Sequence, residues 1–247
     1  MFRFLSSARI LSLLVAPVAA AALALPAVAA ERTNCGTNGI NVNNFRLSAW
    51  KSGNFSGSAC RKYNDSSGSW IWLTLKVNGG GYDAAIGRRG GSKRADSISQ
   101  NKHIYASVRL NNIASNENYW IGPKTSISKT SNYQGLQGNH ECYIIDKANR
   151  GPAAFASWLK VTYKGQSTHN GSNYKHYTRN FNGINQVFSI RQNYRNGGWT
   201  QVGAILKKWR NLGIVPNNYV FQWKYNVETS GRVYGGIGLS NVQVPFH

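Results

Sequence analysis

Short runs of apolar and aromatic residues alternate with groups of Gly, Asn and Ser along most of the chain. Three such runs are residues 70–77 (WIWLTLKV), 104–110 (IYASVRL) and 158–163 (WLKVTY), and glycines at 79–81 and 90–91 mark turns. Many short strands separated by turns are typical of an antiparallel β-sandwich or barrel. No repeat or linker divides the sequence, so residues 31–247 are expected to form a single all-β domain.

One segment has a helical period instead. Its apolar residues recur every three or four positions: Val202, Ile205, Leu206, Trp209 and Leu212. Thr200 can cap the start of a helix here, and Gly213 can end it. The spacing therefore predicts one α-helix that packs against the outside of a large sheet.

Residues 219–228 (YVFQWKYNVE) alternate aromatic or aliphatic side chains with mostly polar ones that end in Glu228. Successive side chains of a strand point to opposite faces, so this pattern predicts one strand with a core face and a polar face. In residues 140–146 (HECYIID) the same alternation places Glu141 with Tyr143, opposite Cys142 and Asp146. Both glutamates are thereby expected on solvent- or cleft-facing sides of strands.

The first thirty residues have the organisation of a secretory signal. Arg3 and Arg9 precede an apolar stretch that ends in small residues, AVAA, before Glu31. Such a segment is removed on export, so we expect a secreted protein, extracellular or periplasmic, without a membrane anchor. After removal of Arg3 and Arg9, 27 basic residues remain against 8 acidic ones, a formal charge of +19. That charge favours anionic partners, such as an acidic polysaccharide or a bacterial wall polymer.

Three cysteines, Cys35, Cys60 and Cys142, would enter an oxidising compartment, and an odd number leaves one unpaired. Cys35 and Cys60 both lie in the polar N-terminal region and are the preferred pair. Cys142 is expected to point into the core as a small apolar side chain. The five histidines show no ligand spacing, so we predict neither a metal site nor a cofactor.

Only four glutamates occur in the chain, and two of them, Glu141 and Glu228, fall within predicted strands. Burial of a carboxylate costs free energy unless it is compensated, which makes these positions unusual. Two carboxyl groups that face one cleft are what glycosidic-bond hydrolysis requires. By contrast, Asp83 and Asp146 are interpreted as turn or surface acids.

Three segments resemble glycoside hydrolase family 11, the small β-jelly-roll endo-xylanases. HECYIID resembles that family's (V/I)EYYIVE, and residues 185–195 (NQVFSIRQNYR) resemble its TQYWSVRQxKR. WRNLG, followed by NNYVFQWKYNVETSG, is similar to the family's helix end and the strand that carries ATEGYQSSG. The match covers residues 139–244, and the family 12 endoglucanases of the same clan share this fold. The resemblance implies a jelly-roll sandwich of two antiparallel sheets with one α-helix.

The resemblance also implies roles for four residues. Glu141 matches the family's nucleophile and Glu228 its acid/base, while Tyr143 and Gln186 match substrate-site residues beside the nucleophile. These matches predict a retaining endo-β-1,4-glycanase that acts on a neutral or acidic cell-wall polysaccharide, xylan or β-glucan. Nucleic acid and membranes are not expected partners, and we expect a monomer.

The chain departs from the family pattern before Gln186. Only a short segment, HYTRNFNGINQ, stands where family 11 has a longer thumb, which weakens an assignment to xylan. Two other interpretations stay open: a jelly-roll module that binds polysaccharide without turnover, and a basic secreted protein that binds nucleic acid or an anionic wall. Binding to a polyanion should weaken steeply with salt, whereas cleavage of a neutral glycan should not.

Overall fold

The computed structural model describes residues 30–64, 69–88, 91–114, 117–132 and 139–244. Its strands are β1 (Glu31–Asn34), β2 (Ile40–Val42), β3 (Phe45–Asn64), β4 (Ile71–Arg88), β5 (Ser92–Arg94), β6 (Ile104–Asn111), β7 (Asn118–Ser128), β8 (His140–Ile145), β9 (Lys147–Ala148), β10 (Thr162–His169), β11 (Ser172–Phe181), β12 (Ile184–Arg191), β13 (Gly197–Thr200), β14 (Tyr219–Phe221), β15 (Lys224–Ser230) and β16 (Val233–Gln243). Two α-helices, α1 (Pro152–Leu159) and α2 (Val202–Asn211), and a 3-10 turn at Ala95–Ser97 complete the secondary structure of these residues.

The strands form two sheets joined by the two long strands β3 and β4. Residues 71–77 of β4 pair with β16, whereas residues 81–87 pair with β15. Sheet A has the order β13–β6–β16–β4–β3–β1, and sheet B the order β10–β11–β12–β8–β7–β15–β4–β3–β2. All these pairs are antiparallel except β8 with β12. The predicted all-β jelly-roll sandwich is confirmed, with this one parallel pair inside sheet B.

The main core lies between the sheets. Its largest side chains include Tyr82, Trp209, Trp223 and Tyr225, all of them almost fully buried. In β15 the alternation holds as predicted, since Tyr225 and Val227 enter the core while Lys224 and Glu228 do not. The 219–228 segment is nevertheless two strands, because pairing breaks at Gln222 and Trp223. Before the break the even-numbered Val220 enters the core, whereas at and after it the odd-numbered Trp223 and Tyr225 do, so the predicted single alternation does not hold across the break.

Helix α2 is the helix that the apolar spacing predicted. Val202, Ile205 and Trp209 are fully buried, and the Trp209 ring packs 6.2 Å from the Trp223 ring. Gly213 follows the helix at a φ of +67°, as a helix-ending glycine should. The expected cap is wrong: Thr200 ends β13, and its hydroxyl donates to the Asp146 carboxylate instead.

Helix α1 was not predicted, so the expectation of one helix is wrong for the described residues. Pro152 begins the helix, where its missing N–H costs nothing, and Lys160 ends it with a left-handed backbone at a φ of +54°. The strand expected over residues 158–163 is thereby divided between the end of α1 and the start of β10. Phe155, Ala156 and Leu159 of α1 pack onto the face of sheet B that points away from the main core.

The predicted disulfide is present between Cys35 and Cys60, and Cys142 is a free, fully buried cysteine in the main core. The predicted signal segment, residues 1–30, lies almost entirely outside the described residues. Among the residues that are described, no helix has the length and apolar character needed to cross a membrane.

Candidate active site

The outer face of sheet B collects charged side chains from four neighbouring strands. Glu141 comes from β8, Lys124 from β7, Glu228 from β15 and Asp83 from β4. Alternation turns these residues away from the main core, since their neighbours Cys142 and Val227 lie within it. Both predicted glutamates therefore lie on one face, and the structure brings them to the same lysine.

The carboxylate of Glu141 is buried and held at both oxygens. The Gln186 side-chain amide donates to Oε2 at 2.6 Å, and the Lys124 ammonium lies 2.8 Å from Oε1. Gln186 reaches it because β12 runs parallel to β8 with these two residues in register. Burial alone would raise the pKa of Glu141, but the charge of Lys124 and the hydrogen bonds from Lys124, Gln186 and Tyr143 outweigh it and lower the pKa. Glu141 is thus held as an ionised carboxylate.

Glu228 has the opposite electrostatic balance. Its Oε2 is buried without a hydrogen-bond partner among the described residues, and the Lys124 ammonium is 3.5 Å away. Burial, reinforced by the negative charges of Asp83 and Glu141, raises the pKa of Glu228 to about 7 despite the opposing charge of Lys124. A carboxyl group with this pKa holds its proton over the acidic half of the pH range.

The separation of the two carboxyl groups is limited by their common neighbour. Because Oε1 of Glu141 lies 2.8 Å and Oε2 of Glu228 lies 3.5 Å from the same nitrogen, these two oxygens are no more than about 6.3 Å apart. Retaining glycosidases place their carboxyls about 5–5.5 Å apart, and inverting ones about 6.5–9.5 Å. The limit on this pair of oxygens is compatible with the retaining separation.

Tyr143 and a set of aromatic residues form the wall beside the glutamates. Its ring stacks on Phe188 with centroids 5.1 Å apart, and the Lys124 ammonium lies 4.8 Å from its centre. A hydrogen bond with the Tyr143 hydroxyl makes a smaller contribution that favours the ionised form of both Glu141 and Glu228, and for Glu228 it is outweighed by burial. Phe155 and Leu159 of α1 belong to the same apolar cluster, so the helix covers the face of sheet B next to the charged group.

Arg179 is a member of the site that the sequence reasoning missed. Its Nε donates to the Gln186 side-chain oxygen at 2.6 Å, and its Nη1 donates to the Leu159 carbonyl at 2.7 Å. With its oxygen so occupied, the Gln186 amide is oriented to donate its N–H to Glu141. The signal for Arg179 was weak, because an arginine on a strand carries no motif of its own.

Three other residues have positions or roles that the sequence did not predict. Asp83, interpreted as a turn acid, lies in β4 in register with Glu228 and bonds the Lys124 ammonium at 2.7 Å. Lys124 lies in no motif that would have predicted its place in the site. Asp146 is also not at the surface; it is fully buried, where it accepts hydrogen bonds from Thr200 and Tyr225 at 2.8 and 3.0 Å.

The turn between β11 and β12 is as short as the sequence indicated. Phe181 pairs with Ile184, so only Asn182 and Gly183 connect the strands, at φ values of 51° and 78°. Positive φ at both central residues is the geometry of a tight type I′ hairpin. No long hairpin arm extends from these two strands over the glutamates.

Comparison with known structures identifies the architecture. The family 11 xylanase from Neocallimastix patriciarum superposes with a TM-score of 0.69 over 87% of this chain and 99% of its own, at 18% identity. The fold is that of the family 11 xylanases. A cellulase derived from Cel12A of Rhodothermus marinus matches at a TM-score of 0.68 and 10% identity, again over 87% and 99% of the two chains.

A third structure, the wild-type ENZbleach xylanase, matches at a TM-score of 0.63 and 18% identity, over 88% of this chain and 87% of its own. No protein-family profile matches the sequence, and no curated protein does. The likeness reaches well into the N-terminal half, where the sequence showed only general strand character. At these identities it establishes the fold.

Proposed function

We propose that the protein is a retaining endo-β-1,4-glycanase, with Glu141 as nucleophile and Glu228 as acid/base. The observation that carries the proposal is the opposite electrostatic balance of two carboxyl groups about one lysine. One is held ionised and the other holds its proton up to a pH of about 7. That division of labour is what double displacement requires of its two carboxyl groups.

The reaction would proceed in two steps. A carboxylate oxygen of Glu141 attacks the anomeric carbon while Glu228 transfers its proton to the glycosidic oxygen, so that the leaving sugar departs as an alcohol and a glycosyl ester forms. Glu228, now ionised, takes a proton from water, which attacks the same carbon and releases Glu141 as a carboxylate. The Oε2 atom of Glu228 supports this role: it accepts no hydrogen bond among the described residues and lies 3.5 Å from the Lys124 ammonium, so it can hold the proton that the glycosidic oxygen receives.

Substrate binding would use the aromatic residues on the same face. Trp50 of β3 is in register with Asp83, which is in register with Glu228, and 63% of Trp50 is exposed. An exposed ring in this row can stack on a sugar ring beside the reacting one. The comparison structures are described as xylanases and a cellulase, which supports a β-1,4-linked cell-wall polysaccharide as substrate. Export after cleavage of residues 1–30 belongs to the same proposal.

The test is a screen for released reducing ends on xylans, β-glucans, mannan, chitosan and peptidoglycan. Glu141→Gln and Glu228→Gln should each lower the rate on the responsive substrate at least ~100-fold, the usual contribution of such groups. Glu31→Gln, an exposed glutamate of β1 in sheet A, is the matched control and should keep the wild-type rate. Proton NMR of the first product should show the β-anomer; an initial α-anomer would contradict the nucleophile assignment.

A second function, polysaccharide binding without turnover, is favoured by one observation. The Lys124 ammonium pairs with the glutamates where a sugar ring would have to bind. A binding protein would retain the responsive polysaccharide on an affinity gel and release no reducing ends. The Glu141→Gln variant would then bind as the wild type does.

A further inference from the structure

Lys124 lies at the centre of the charged group on sheet B. Its ammonium contacts Asp83 at 2.7 Å, Glu141 at 2.8 Å and Glu228 at 3.5 Å, and only 16% of its side chain is exposed. Burial would lower the pKa of Lys124, but the negative charges around it outweigh burial and hold that pKa well above its usual value. The side chain is therefore a permanent cation shared by three acids.

Charged and titratable groups face Lys124 from every strand around it. They are Asp83 of β4, Glu141 and Tyr143 of β8, and Glu228 and Lys224 of β15, with Arg46 of β3 and Arg179 of β11 farther out. The cations Lys224, Arg46 and Arg179 make no carboxylate contact comparable to the three of Lys124 among the residues described. Lys124 thus dominates the local charge balance.

The ammonium also occupies space that the reaction needs. Gln186 holds one oxygen of Glu141, so the other oxygen, the one that contacts Lys124, is the natural attacking atom. The reacting carbon must come within about 3–3.5 Å of that oxygen. The glycosidic oxygen must similarly approach Glu228, which Lys124 also faces. Asp83, the nearest of the three acids, offers the ammonium an alternative partner.

We propose that Lys124 is a displaceable counter-ion of the two glutamates: it neutralises them in the free protein and withdraws to Asp83 alone when a sugar ring binds. The proposal rests on the proposed function and deepens it, since Lys124 becomes a positioning residue of the same site. Withdrawal leaves Glu141 with less positive charge beside it, which strengthens the nucleophile. It also leaves Glu228 harder to ionise, which keeps the acid protonated when the glycosidic oxygen arrives.

The pH profiles of wild-type kinetics test this directly. The profile of kcat/KM reports groups of the free enzyme, and that of kcat reports the substrate complex. Loss of one nearby positive charge should raise the pKa of a carboxyl by about one unit or more. The alkaline limb of kcat should therefore lie at least about one pH unit above that of kcat/KM. Coincident limbs in the wild type would overturn the displacement.

Two substitutions separate the role of Lys124 from a purely structural one. In Lys124→Met the cation is absent from both the free enzyme and the substrate complex. The two alkaline limbs should therefore converge, because the kcat/KM limb moves to higher pH. Lys124→Arg keeps the charge and should keep the wild-type separation of the two alkaline limbs. Lys62→Met, which removes an exposed positive charge that pairs with Glu31 in the sheet A part of β3, is the control and should shift either limb by less than about 0.3 units. A Lys124→Met profile that retains the wild-type separation would refute the proposal.

Two further measurements keep this outcome distinct from failure of the proposed function. If Lys124→Met does not fold, Lys124→Gln removes the charge and keeps a hydrogen-bond donor. If the wild type hydrolyses no substrate, the proposed function fails, and carbon NMR titration of the glutamate carboxyls in free wild type and Lys124→Met still tests the counter-ion. Equal titration in both proteins would refute that part of the proposal.

Discussion

Glu228 should lower the stability of the folded protein at neutral and alkaline pH. Burial raises its pKa from 4.5 to about 7, so the folded protein binds its proton more tightly than the unfolded chain does. Between these two values the folded state carries one more proton, and the free energy of unfolding falls as the pH rises. The stabilisation from the bound proton is complete below the pKa that Glu228 has in the unfolded chain. It is lost as the pH rises through the pKa of Glu228 in the folded protein.

The pKa difference converts to a loss of about 3 kcal/mol between acidic pH and pH 8, as an upper value for one group. Glu228→Gln keeps the shape of the side chain and cannot ionise. We therefore expect the variant to be more stable than the wild type at pH 8 by up to about 3 kcal/mol, with little difference at pH 4. Its activity should be lost in the same experiment, because the acid/base is gone.

Guanidinium unfolding monitored by tryptophan fluorescence measures the effect. Wild type, Glu228→Gln and the exposed-glutamate control Glu31→Gln are compared at pH 4, 6 and 8. The difference between wild type and Glu228→Gln should grow with pH, whereas the difference between wild type and Glu31→Gln should not. If the curves of wild type and Glu228→Gln run parallel from pH 4 to 8, the raised pKa of Glu228, and with it the acid/base assignment, is wrong.

Three further predictions concern other residues. Arg179→Met should lower kcat about tenfold with little change in KM, because the Gln186 amide loses the partner that orients it toward Glu141; unchanged kcat contradicts this role. Trp50→Ala should raise KM several-fold and spare kcat in steady-state assays, and a fall in kcat alone would count against stacking. Burial lowers the pKa of His176 from 6.5 to about 4 between Ser167 and Ser189, so its contribution to stability should disappear as the pH falls from 6.5 to 4. Acid unfolding of His176→Gln, which remains neutral, should show less of this loss; equal acid sensitivity would argue against it.

The sequence predicted the elements with a simple period and failed where the period was absent. The core-facing side of a half-buried strand such as β15 is visible in the sequence as alternation of apolar and polar residues. That of the amphipathic helix α2 is visible as apolar residues at every third or fourth position. Helix α1, PAAFASWL, is short and apolar on nearly every side, although Ala153, Ala154 and Ser157 are exposed, so its composition did not distinguish it from a strand. The break before Trp223 had no sequence signal either.

The site was predicted only as far as motifs reached. The sequence predicted four site residues because each lies in a short segment with a recognisable pattern. Glu141 and Tyr143 share one segment, and Gln186 and Glu228 each lie in another. Lys124 and Asp83 meet the glutamates through the register of β7 and β4 with their neighbours, which brings together residues from separate segments of the chain. Asp83 follows three glycines and was therefore expected in a turn, but β4 continues through that glycine run as it passes from sheet A to sheet B.

The charge balance explains how a chain with 8 acidic residues can place three of them on one face of a sheet. Three ionised carboxylates around one ammonium would leave two uncompensated negative charges in a partly buried site, which is costly. A proton on Glu228 reduces that excess to one, and hydrogen bonds from Gln186 and Tyr143 offset part of the rest. Because Lys124 and the Glu228 proton neutralise the same cluster, removal of either must change the affinity of the site for the other. Replacement of Lys124 should therefore change two quantities together: the pH dependence of the unfolding free energy that Glu228 causes, and the separation between the alkaline limbs of kcat and kcat/KM.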